Sequence, residues 1–124
     1  MSFLVLEAYA KLVQFEFHLA YGTFTAIYEK VRHHPIARRR PPRDAVNHIC
    51  SAVDVACIWY WKEARCLQRS AATACLLKNY GVPAELVIGA QLMPFRSHAW
   101  VEVGGQVVND KPYVREIYGV LDRC

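Results

Sequence analysis

The sequence predicts an α+β fold, with helices first and a small antiparallel sheet after them. Apolar residues recur at three- and four-residue steps as far as Asn79, and from Ala84 the pattern shifts to short runs of strand type. In the later part Gly104-Gly105 separates two such runs, which is a strong signal for a β-hairpin.

Residues 3–32 read as helix in two pieces that meet near Gly22, with Leu4, Ala8, Leu12, Phe15 and Leu19 marking one buried stripe. The aromatic residues Phe15, Phe17, Tyr21, Phe24 and Tyr28 are expected to pack against the rest of the fold, and any exposed remainder is a candidate docking surface. Pro41-Pro42 stops the helical pattern. A second helix is predicted from about Asp44 to Trp61, with Val46, Ile49, Val53, Cys57 and Tyr60 at helical steps. A third runs from about Cys66 to Asn79, where Gly81 suits the left-handed cap and Pro83 lies just beyond. The predicted strands are Ala84 to Ala90, His98 to Val103 and Gln106 to Asp110.

The chain of 124 residues, 54% of them hydrophobic, has enough apolar surface for a core and room for one domain. Glu7, Lys11, Glu16 and Glu29 interrupt the apolar N-terminal third too often for a spanning helix of ~20 apolar residues. No cleavable signal pattern opens the sequence, so a cytoplasmic location is expected. Five cysteines stand at 50, 57, 66, 75 and 124 without a CxxC pair, which argues against a zinc site and for free thiols. Cys50 and Cys57 share a helix face and read as small buried hydrophobes.

The net charge is +4, and Arg32, Arg38, Arg39, Arg40 and Arg43 crowd into twelve positions. That run suits a solvated connector, an acidic peptide or an anionic membrane. Nucleic acid ranks last, because no aromatic residue lies among the arginines to stack on a base.

Three residues carry candidate chemistry together: Cys66 at a helix start, His98 on a strand and Asp110 after it. The positive end of a helix dipole favours thiolate, and Lys62, Arg65 and Arg69 lie close in sequence to add to that effect. An imidazole within reach of the sulfur serves as base and later as acid, and a carboxylate behind it fixes tautomer and orientation.

The blocks Cys66-Leu-Gln-Arg-Ser70, Tyr80-Gly-Val-Pro-Ala84, Leu86-Val-Ile-Gly89, His98-Ala-Trp-Val-Glu-Val103 and Val107-Val-Asn-Asp110 resemble the transglutaminase-like core. More closely, they resemble the leader peptidases of bacterial lasso-peptide biosynthesis, over roughly residues 41 to 110. The resemblance implies a transglutaminase-like or papain-like cysteine protease core over 41–124, preceded within one domain by a helical part and basic connector over 1–40. It implies Cys66, His98 and Asp110 as catalytic residues, with Arg69, Ser70, Trp100 and Asn109 in support. It also implies removal of the leader from a ribosomally made precursor peptide, without metal or organic cofactor. The implied partners are that precursor, a separate leader-recognition protein and an ATP-dependent lasso cyclase. Trp59, Trp61 and Gln68 are candidates for a side chain that completes the oxyanion hole. The same three residues also serve acyl transfer to an amine, and a non-catalytic module binding the precursor or the cyclase would keep the fold.

The hairpin raises a conflict. With Gly104-Gly105 as a two-residue turn, Val103 pairs with Gln106, and strict alternation points Asp110 away from the face of His98. Asp110 then needs a longer turn or a bulge, failing which Asn109 orients the histidine. Glu102, two steps beyond Trp100 on the same face, is expected at the surface or in a supporting place.

Overall fold

A computed structural model describes residues 3–92 and 94–124, without the side chain of Tyr21. Four helices come first: α1 (Phe3–Tyr21), α2 (Phe24–Arg32), α3 (Ala45–Trp59) and α4 (Cys66–Asn79). They lead into β1 (Ala84–Leu92), β2 (Phe95–Val103) and β3 (Gln106–Val107), then a single turn α5 (Val114–Ile117) and β4 (Gly119–Arg123). The sheet is antiparallel with order β3-β2-β1-β4, so the chain has the α+β architecture expected of it.

The break between α1 and α2 falls at Gly22, and Thr23 caps α2 by accepting the Ala26 N–H at 3.1 Å. Of the N-terminal aromatics, Phe15 and Tyr28 are buried, whereas Phe17 and Phe24 are more than half exposed. The third predicted helix matches α4 at both ends. The second is shorter than predicted, because Tyr60 takes an extended conformation and turns its ring inward, its hydroxyl donating to Glu16 at 3.0 Å. Strand β2 begins at Phe95 rather than His98, paired through Leu92↔Phe95 with a longer β1.

Period-two alternation divides the sheet into two faces. Leu86, Ile88, Ala99 and Val101 join Leu12, Phe15, Ile49, Leu76 and Leu77 in the main core beneath the helices. Val87 and Trp100 point the other way and are covered by Val114 and Tyr118 from the C-terminal segment. Nothing in the sequence reading assigned structure to that segment. Its β4 pairs with β1 and its last residue is fastened by Cys124 N–H to the Leu86 carbonyl at 2.9 Å.

Of the two places expected for Glu102, the surface or a supporting position, the structure gives the second: it is fully buried on this second face. Its carboxylate accepts from Trp100 Nε1 at 2.9 Å and from the Arg123 guanidinium at 3.0 Å. A buried carboxylate needs such partners, and here they tie β2 to the end of β4.

Gly89, the partner of His98 across the β1–β2 pair, lets the Trp100 ring lie directly over the backbone. A methyl group there would stand 2.6 Å from that ring and 3.0 Å from the Tyr118 Cβ. Gly89→Ala is therefore expected to destabilise the fold by roughly 1–3 kcal/mol. Urea denaturation measures it, and an unchanged midpoint would show that the indole shifts freely.

Candidate active site

The hairpin turn is tight, as Gly104-Gly105 suggests: both glycines have positive φ, 59° and 79°, and Val103 pairs with Gln106. Strand β3 nevertheless ends at Val107, not at Asp110. One further main-chain bond follows, from Val108 N–H to the Val101 carbonyl at 3.0 Å. At that point a side chain replaces the main chain in the ladder. Asn109 accepts the Val101 N–H on its own Oδ1 at 2.8 Å and donates from Nδ2 to Ser70 Oγ at 3.0 Å.

This substitution resolves the register conflict without a longer turn. Once pairing stops, alternation no longer binds Asp110, and its Oδ2 meets His98 Nε2 at 2.5 Å. Asp110 rather than Asn109 is thus the residue on the imidazole, while Asn109 is a buried strut between helix and sheet. Asp110 also accepts the Lys111 N–H on Oδ1 at 2.7 Å, which fixes its second oxygen.

Burial pushes the Asp110 carboxyl up, but the His98 hydrogen bond, the Lys111 N–H and the charges of His98 and Arg69 outweigh it, leaving it below the ordinary aspartate value. A carboxylate held ionised accepts, so Nε2 carries the proton and Nδ1 is the nitrogen left for a second partner. The imidazole is also clamped from the side. Tyr118 stacks on it with ring centroids 5.1 Å apart and planes 28° from parallel, and Trp100 lies 6.1 Å away. Sequence reasoning missed Tyr118, whose only signal was an aromatic residue in a short unassigned stretch.

Helix α4 approaches the same region. Ser70 donates to the Ala99 carbonyl at 3.0 Å, next to His98 in the strand. Arg69 donates to the Asn109 carbonyl at 3.1 Å and pairs with Asp54 at 2.7 Å. Cys66, one turn before Ser70 on the same helix face, is the exposed one of the five cysteines. No hydrogen bond joins Cys66 to His98 among the described residues. Two of the three charges expected around the sulfur are engaged elsewhere: Lys62 pairs with Glu16 at 3.0 Å, and Arg69 has the partners just given.

The oxyanion candidates fare differently from one another. Gln68 is fully buried and spends its amide N–H groups on the Leu12 carbonyl at 2.7 Å and the Tyr60 hydroxyl at 3.0 Å, so it serves the packing of α4 on α1. Trp59 and Trp61 are about two-thirds exposed at the end of α3. A cavity of about 340 Å³ opens beside the imidazole, bounded by Arg69, His98, Asp110, Lys111, Tyr113 and Tyr118.

The family model of the Transglutaminase-like superfamily matches residues 11–123 of the chain. The chain belongs to that superfamily. Among curated proteins, the Microcin J25-processing protein McjB of Escherichia coli is 48% identical over 56 residues, which cover 45% of this chain. The match spans only 27% of the length of that relative. No solved structure matches the chain. Among the described residues, no helix is long and apolar enough to cross a membrane.

Two outcomes test the geometry. Asn109→Ala leaves both the buried Val101 N–H and Ser70 short of a partner, an expected loss of roughly 1–3 kcal/mol seen as a lower melting temperature. Because the folded pKa of Asp110 is depressed, its contact with His98 contributes stability above the unfolded aspartate pKa, and that contribution disappears as pH falls through the folded value. Melting curves from pH 7 down to pH 2 should accordingly converge for the wild type and Asp110→Asn at the acid end. A constant gap between the two would show that the carboxylate charge plays no part.

Proposed function

We propose that the chain is a cysteine peptidase that removes the leader from a ribosomally synthesised precursor peptide during lasso-peptide maturation. The observation that carries this reading is the Asp110–His98 hydrogen bond, which occupies Nε2 and leaves Nδ1 for a second partner, together with an exposed Cys66 at the start of α4. Family membership and the likeness to a microcin-processing protein support it.

In this mechanism the Cys66 thiolate attacks the carbonyl carbon of the last leader residue. The oxyanion is met by unpaired N–H groups in the first turn of α4, including that of Cys66 itself. His98, protonated on Nδ1, gives its proton to the departing core amine as the C–N bond breaks, leaving a thioester on sulfur. It then takes a proton from water, whose oxygen attacks the thioester and releases the leader as a carboxylic acid. Asp110 holds the ring in place and offsets the charge of the imidazolium. Arg69 and Ser70 fasten the helix, and Trp100 with Tyr118 keeps the imidazole from turning. The precursor, a separate recognition protein and the ATP-dependent cyclase are the partners this role requires.

Purified protein incubated with precursor, with and without the recognition protein, should yield leader and core by mass spectrometry. Cys66→Ala is expected to lower the rate roughly a thousandfold or more and leave the circular dichroism spectrum unchanged, with His98→Ala close behind. Asp110→Ala should retain a measurable rate, reduced on the order of 10²–10⁴-fold. Full cleavage by the Cys66 variant would remove the proposal.

The superfamily name favours a second reading, in which an amine rather than water resolves the thioester. Mass spectrometry of the released leader separates them, since transfer to an amine yields an amide. Alkylation tests for any catalysis at all. Burial raises the Cys50 thiol to about 11 and pushes Cys57, Cys75 and Cys124 up as well, so these four should react slowly with iodoacetamide. An exposed nucleophile at Cys66 should react well ahead of them, and equal rates would favour a binding module.

A further inference from the structure

A second concave surface lies at the opposite ends of α3 and α4. Tyr80 is fourteen residues beyond Cys66 on the chain, so along the helix axis it stands ~21 Å away. There the starts of α1 and α3 and the end of α4 enclose a groove of about 380 Å³, walled by Phe3, Leu4, Pro42, Ala45, Ile49 and Tyr80. The wall is predominantly apolar, and Phe3 is three-quarters exposed at its edge.

The arginine segment is fastened to the end of α4 and reaches this groove at Pro42. Ala37 N–H donates to the Lys78 carbonyl at 2.8 Å, and the Arg39 guanidinium lies 4.4 Å from the centre of the Tyr80 ring. Gly81 lacks the Cβ that would collide with the Arg39 carbonyl, so the segment seats directly on the end of α4. His34 adds a 2.6 Å hydrogen bond to Asn79. Arg38, Arg40 and Arg43 are exposed and make no ion pair among the described residues. Two carboxylates stand nearby: Glu7, which accepts from the Tyr80 hydroxyl, and Asp44, which is exposed beside Arg43.

A solvated connector requires neither an apolar hollow beside it nor an arginine held on a helix end. We propose that this groove binds an acidic peptide segment that inserts a bulky apolar side chain between α1, α3 and Tyr80, with its carboxylates on Arg38, Arg40 and Arg43. The hollow has the volume for one or two side chains, and the unpaired cations around it are complementary to acidic neighbours in the ligand. Because the segment is already fastened, little ordering cost attends binding. A concave apolar wall also fits a side chain better than it fits a planar lipid surface.

The test uses the full chain and a fluorescein-labelled synthetic peptide in which Asp and Glu alternate with Leu and Phe, read by anisotropy. The expected result is saturable binding that weakens with salt and falls roughly tenfold or more in Arg40→Glu/Arg43→Glu. Phe3→Ala, at an exposed position that the fold tolerates, should weaken binding with little change in salt dependence. Cys66→Ala should bind as the wild type does, which keeps the outcome separate from the peptidase reading. Three results would overturn the proposal: a peptide with Ser in place of Leu and Phe binding equally well, charge reversal without effect, or capture by phosphatidylglycerol vesicles with none by the peptide.

Discussion

The Asn109 side chain is the constraint on which the candidate site depends. Its amide closes the sheet ladder where the main chain leaves it, accepting from Val101 and donating to Ser70, while Ser70 in turn donates to Ala99. Three elements are joined in this way: the strand that carries His98, the helix that begins at Cys66 and the turn that delivers Asp110. All the groups in the chain of bonds are buried, where an unsatisfied partner is costly and an alternative through water is absent. The position of the carboxylate on the imidazole is therefore set by a neutral residue next to it.

Helix α4 is the common support of the candidate site and of the proposed groove. Its start holds the proposed nucleophile and its end holds Tyr80 and the seat of the arginine segment. Between them it is almost wholly buried, with Gln68 bonded into α1, Ser70 into β2, and Lys78 reaching the Val31 carbonyl at 2.7 Å. A helix immobilised along its whole length keeps the two surfaces at a fixed separation. If one extended peptide occupies both, an extended chain at ~3.3 Å per residue crosses ~21 Å in about six residues.

Much of this was legible in the sequence, for definable reasons. The bounds of α4 could be read because Gly81 and Pro83 end it chemically, and the hairpin because two adjacent glycines admit the positive φ that a two-residue turn demands. The approach of Asp110 to His98 was not legible from alternation, which assumes that pairing continues; an amide taking over a ladder position leaves no periodic trace. Glu102 was left open between the surface and a supporting place because a strand position reads the same whether water or a distant arginine meets it, and Arg123 is twenty-one residues away. The C-terminal α5 and β4 are each too short for a period to emerge. The Tyr118 contact with His98 was lost with them.

The turn at Gly104-Gly105 is open to solvent on every side that an added Cβ would probe. Loop tips of that kind ordinarily accept extra residues with little harm. Here length matters more than accessibility, since one inserted residue would carry Asn109 to the imidazole and put Val108, which has no amide side chain, in the place that bonds Val101 and Ser70. Substitution at the tip and insertion at the tip are thus expected to have separate histories among relatives: free exchange of side chains compatible with the turn, but a hairpin of invariant count.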